Sequence, residues 1–189
     1  SIKGSQLYIH EIVAKLVQYG LSEGEKTTLE LQWNDHFDKL CAYLVEEFGE
    51  DSLPLVLVLA DVSGSMSGDP MNAAIAMAMM FGQIMEKFNP EFGNRFISFH
   101  ERPCWISLNY PESLESWTNM KTKPDRAFDP TRAGGKMSLY ERAMVAQGSE
   151  WGYNTDFVAA YEMILTAAIE ANLQPEQLPH MFVVCSDMQ

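Results

Sequence analysis

The sequence predicts an α/β fold, doubly wound about a mostly parallel sheet and preceded by two helices. Three observations predict it. Residues 53–60 read Leu-Pro-Leu-Val-Leu-Val-Leu-Ala, a nearly continuous apolar run of the kind found in a strand covered on both faces. Residues 181–185, Met-Phe-Val-Val-Cys, form a second such run. Between the two, strand and helix patterns alternate, which favours a parallel sheet with helical crossovers.

The elements follow in chain order. In residues 6–20, Leu7, Ile9, Ile12, Val13, Leu16 and Val17 recur at three- and four-residue spacing, so a helix is expected there, stopped by Gly20. A second helix is expected over 25–48, with Leu29, Leu31, Trp33, Phe37, Leu40, Cys41, Leu44, Val45 and Phe48 on one broad face and Gly49 closing it. These helices pack either on the sheet or as the end of a larger helical domain. After the strand at 53–60 comes a short loop, 61–68, and then Asp69-Pro70, an N-cap followed by a proline suited to the first turn. The helix so opened, 70–88, is apolar on nearly every side and is expected at the centre of the fold.

Residues 95–99 and 104–108 are short strand candidates, close enough to form a hairpin at a sheet edge. Residues 109–137 hold Pro111, Pro124, Pro130, Gly134 and Gly135 and read as loop with a short helix near 112–119. Helices are expected over 138–147 and about 156–171, the latter entered through a turn at 151–156. The strand at 181–185, taken as buried, ends at Ser186-Asp187. Two units result: an N-terminal helical segment, 1–50, and an α/β domain, 51–189. A core strand is a poor sheet edge, so further strands and helices of this domain are expected beyond this sequence.

Bulk properties narrow the function. The chain has 189 residues, enough for one well-buried core. Its 26 acidic residues outnumber 13 basic ones, for a formal net charge of -13. Such a chain repels phosphate backbones on average, which argues against non-specific nucleic-acid binding. No segment approaches the roughly 20 apolar residues of a membrane span. The three cysteines, Cys41, Cys104 and Cys185, show neither a CxxC pair nor zinc spacing. They suit a reducing compartment, so an intracellular, cytoplasmic location is expected.

Two apolar strands end in an acid, Asp61 and Asp187. In an open α/β sheet, ligands sit beyond the carboxyl ends of the strands, near the point where strand order reverses. Ser63 and Ser65 follow Asp61 at a spacing that can place both hydroxyls on one side of a tight loop. Thr155, at the lip of a helix, offers a third hydroxyl. Mg²⁺ is a hard ion that takes oxygen ligands in octahedral geometry and keeps some of its waters. Asp61, Ser63, Ser65, Thr155 and Asp187 supply that chemistry, and Mn²⁺ or Ca²⁺ suits the same ligand types. Each residue also has a plain structural role open to it. Asp61 could accept backbone N–H groups, Thr155 could cap its helix with Asp156 complementing the dipole, and Ser186 and Asp187 could cap a following helix.

Asp61-Val62-Ser63-Gly64-Ser65 resembles the DxSxS signature of the von Willebrand factor A fold, which opens that family's metal ion-dependent adhesion site. The family's second loop carries a threonine before a helix, as in Asn154-Thr155-Asp156. Its third carries an aspartate after a central strand, as in Val184-Cys185-Ser186-Asp187. The resemblance implies a Rossmann-like arrangement and aspartates that bind the ion partly through water. It implies no catalysis, but a metal that recruits an acidic side chain of a protein partner, in the manner of an adhesion or scaffold domain. Trp151 and Tyr153 could supply apolar contacts to that partner, or pack under the loop.

A narrower likeness runs along His10-Glu11-Ile12-Val13, Leu31-Gln32-Trp33, residues 61–68, 151–155 and Ser186-Asp187-Met188. These stretches are similar to a plant and viral family known only as a domain of unknown function. That family joins a helical N-terminal part to a von Willebrand A-type domain.

Enzymatic readings meet local obstacles. A haloacid-dehalogenase-type phosphotransferase needs an aspartate where Ser63 stands. Gly64-Ser65-Met66-Ser67-Gly68 has Met66 where a nucleophile elbow needs serine. Gly135-Lys136 is followed by Met137 and preceded by Pro130 where a phosphate-binding loop needs glycine. The remaining enzymatic alternative is Mg²⁺-dependent phosphate chemistry at Asp61 and Asp187. Ro-type RNA-binding proteins also join helical repeats to a von Willebrand A-type domain. Residues 6–48 hold no basic stripe, so any RNA contact would fall to regions absent from this sequence.

Overall fold

The structure, a computed structural model, describes residues 6–61, 64–88, 90–99, 103–120, 127–149 and 156–186. The first helix, α1 (Ile9–Leu16), opens with Glu11 accepting the Tyr8 N–H at 2.7 Å and buries Ile12, Val13 and Leu16. It is shorter than the 6–20 expected. Gln18, Tyr19 and Gly20 lie exposed beyond the end of the apolar stripe, where continued helix would bury nothing. The second, α2 (Glu23–Phe48), starts two residues earlier than expected because Ser22 and Glu25 form a reciprocal cap. Ser22 Oγ accepts the Glu25 N–H, and Glu25 accepts the Ser22 N–H at 2.9 Å.

Strand β1 (Val56–Asp61) is buried along its whole length. It begins three residues later than the apolar run. Pro54 has no N–H to give a ladder, and the Leu55 carbonyl instead receives the His180 and Met181 N–H groups at 2.7 and 3.0 Å. Helix α3 (Asp69–Phe88) follows, buried around most of its circumference as its composition requires. Gly68 stands at its start with φ +91, and its carbonyl takes the Asn72 N–H at 3.0 Å, so Asp69 lies inside the first turn rather than at the cap. Strands β2 (Arg95–Phe99) and β3 (Cys104–Ser107) form the expected antiparallel edge hairpin. Helix α4 (Leu114–Asn119) is capped by Ser113, and α5 (Leu139–Gln147) by Ser138 with Glu141. Helix α6 (Phe157–Glu170) and strand β4 (Met181–Cys185) complete the described elements.

The sheet order is β3-β2-β1-β4. Strand β1 pairs in parallel with β2 on one side and β4 on the other. Side-chain alternation on β1 sorts the core into two layers. Val56, Val58 and Ala60 join a cluster with α1, α3 and α5. Leu57 and Leu59 face the other way, onto Ala160 and Ile164 of α6, with Phe92 and Ile97. Helices therefore cover both faces. Trp33, fully buried, and Leu29 bring α2 into the first cluster, so α1 and α2 lie over α3 rather than directly on the sheet.

One expectation is corrected. The apolar strand at 181–185 is not buried: Met181 is 48 % and Val184 39 % exposed. Among the described residues β4 pairs with β1 alone, so its outer edge lies at the rim of the sheet. Helix α6 is similarly half covered, with Val158, Leu165 and Ile169 open to solvent.

Candidate metal centre

Strand order fixes where a ligand would sit. From β1 the chain crosses through α3 to β2 on one side, and β4 later joins β1 on the other. The carboxyl ends of β1 and β4 thus flank the point where the winding reverses, which is where open α/β sheets place ligands. Asp61 is the last residue of β1 and is only 4 % exposed. The register Ala60↔Cys185 makes Asp61 and Ser186 the next side chains beyond the ladder. They meet: Ser186 Oγ donates to Asp61 Oδ2 at 2.7 Å.

Beyond Asp61, Gly64–Met66 forms a single 3-10 turn, with the Ser67 N–H donating to the Gly64 carbonyl at 3.2 Å. Met66 is buried in the α3 cluster and pins the turn to the core. Ser65, one residue earlier, is left exposed on the crest. Helix α3 starts directly after this loop, so its N-terminal partial positive charge lies at the same end of the sheet.

Of the expected ligands, Asp61 and Ser65 are thus placed on the crest. Ser63, Thr155 and Asp187, and the candidate contact residues Trp151 and Tyr153, lie outside the described residues. The cap of α6 is Asp156, whose Oδ1 accepts the Ala159 N–H at 3.0 Å. Ser186 is a residue that sequence reasoning did not place in the site. By itself in the sequence it could cap a following helix, and its partner Asp61 emerges only once β4 lies beside β1.

The donor types fit a hard divalent ion: a buried carboxylate and a hydroxyl on one loop, with a hydroxyl holding that carboxylate from the next strand. Among the described residues no group of three or more His, Cys, Asp or Glu side chains is placed to hold a metal. The expected set contains two carboxylates, one of which is described. No helix among the described residues is long and apolar enough to cross a membrane.

The class of protein is therefore an α/β domain with, among the described residues, a four-stranded, mostly parallel sheet and a buried carboxylate, Asp61, at the winding reversal. Its likenesses are to uncharacterised proteins. A family model described as a domain of unknown function, DUF7788, matches residues 128–189. That stretch includes Thr155, Ser186 and Asp187, while Asp61, Ser63 and Ser65 precede it. The chain is 28 % identical over 134 residues to "Uncharacterized protein L728" of Acanthamoeba polyphaga mimivirus. That match covers 71 % of this chain and 18 % of the relative, so the chain corresponds to a small part of that protein's length. No solved structure matches the chain significantly.

Proposed function

We propose that the chain carries a von Willebrand factor A-type domain whose metal ion-dependent adhesion site is formed by Asp61, Ser63, Ser65, Thr155 and Asp187. It acts as a divalent-metal-dependent protein-binding module, not as an enzyme, and works inside the cell. The observation that carries the reading is the position of Asp61. A carboxylate that is 4 % exposed terminates the central strand at the winding reversal, held by a hydroxyl from the neighbouring strand. A carboxylate at that place is the kind of hard oxygen donor that Mg²⁺ takes.

When bound, Mg²⁺ would supply an open coordination position for an outside carboxylate oxygen. The chain's part is to hold the ion while leaving its charge incompletely neutralised. Three of the five donors are neutral hydroxyls, so only Asp61 and Asp187 bring negative charge. A Glu or Asp of a protein partner would complete the shell, and Trp151 and Tyr153, beside Thr155 in sequence, would add apolar contact around it. Affinity capture from an extract of the source cells, with Mg²⁺ or with EDTA, tests this function. Partners retained with Mg²⁺ and released by EDTA, and absent with Asp61→Ala as bait, are expected. Partners indifferent to both changes would overturn it.

A further inference from the structure

We infer that Ser186 is a positioning residue for the Asp61 carboxylate and thereby sets the affinity of the crest for a divalent ion; the inference rests on the metal site proposed above. The bond between them spans 125 residues of sequence and joins two strands just past their last ladder pair, Ala60↔Cys185. An O–H···O⁻ contact at 2.7 Å is charge-assisted and fixes which way the carboxylate faces. With Asp61 4 % exposed, little water is available to take over that task. The strands themselves do not need the bond. The parallel ladder runs from Val56↔Met181 to Ala60↔Cys185 through apolar side chains, and a single hydroxyl at its end adds little to their pairing. What the hydroxyl does hold is one oxygen of that carboxylate, Oδ2, at the carboxyl end of β1. Groups that orient metal ligands from behind typically change metal affinity about 10–100-fold when removed.

The test is calorimetric titration of the chelator-stripped 189-residue chain with Mg²⁺, for the unmodified protein, Ser186→Ala, Ser186→Thr and Asp61→Ala. Thermal unfolding in EDTA is recorded in parallel. Ser186→Ala should bind Mg²⁺ at least about tenfold more weakly, with its metal-free unfolding temperature little changed. Ser186→Thr, which keeps the hydroxyl, should restore most of the affinity. A purely structural role would instead lower the metal-free unfolding temperature and leave affinity intact. If Ser186→Ala does not fold, Ser186→Cys, a weaker donor of similar size, must still bind less tightly than the unmodified chain. Binding that Asp61→Ala abolishes but Ser186→Ala leaves untouched would overturn this inference alone. Absence of Mg²⁺ binding by the unmodified, folded chain would overturn it together with the metal site.

Discussion

Gln83 Oε1 on α3 accepts two hydrogen bonds at once, from Trp33 Nε1 at 2.9 Å and from Arg142 Nη1 at 3.1 Å. One amide oxygen therefore ties α2, α3 and α5 together beneath the N-terminal helices. Trp33 is fully buried and Arg142 is 8 % exposed, so neither donor can readily turn to water instead. Burial pushes the Arg142 guanidinium below its usual range, with Glu30 and Glu86 drawing it back up.

Replacing Gln83 by Leu should therefore destabilise the fold by about 2–4 kcal/mol, because it leaves a buried indole N–H and a buried guanidinium N–H without their acceptor. Adding Arg142→Met should recover part of the loss, since the guanidinium N–H left without an acceptor is then gone. Urea midpoints of the single and double variants measure this. A double variant no more stable than Gln83→Leu would contradict it.

Ser98 presents the opposite case. It sits on β2 in register with Ala60 and is fully buried, and among the described residues its Oγ finds no hydrogen-bond partner. A buried hydroxyl without a partner costs roughly 1–3 kcal/mol, so Ser98→Ala should be neutral or stabilising despite its central position. A drop in denaturation midpoint comparable to that of an ordinary core truncation would show that the hydroxyl is satisfied in solution.

The cysteines give a pH-dependent readout. Burial pushes the Cys185 thiol up, and burial chiefly does the same for Cys41, where Lys87 partly opposes it. A thiolate is the reactive species, so both should alkylate at pH 8 about tenfold or more slowly in the folded chain than after denaturation. The sign for stability follows. The folded state holds these protons more tightly than the unfolded one, so their contribution is complete below the ordinary thiol range and is lost as pH rises through the higher folded values. Mass-spectrometric rates that are equal in both states would contradict this.

Much of the fold was legible in local pattern. Helix α3 showed itself through Asp69-Pro70 and an apolar surface on all sides, and β1 through its unbroken aliphatic run, because both signals are local. Features set by distant partners were not legible. The exposure of Met181 and Val184 depends on what lies beside β4, which its composition does not reveal. Nothing local marks Gln83, since its partners are 50 and 59 positions away. The site divides in the same way. Asp61 at a strand end was read correctly from the sequence, whereas Ser186 needed the adjacency of β1 and β4 to acquire a role.

The most direct measurement is Mg²⁺ titration of the chelator-stripped chain beside Asp61→Ala and Ser65→Ala, with folding of each verified by circular dichroism. A metal centre on the crest requires saturable one-site binding that Asp61→Ala weakens at least about tenfold and Ser65→Ala weakens measurably, as loss of side chains that hold the ion should. A folded chain that takes up no Mg²⁺, Mn²⁺ or Ca²⁺, or binds equally with and without the Asp61 carboxylate, would contradict it.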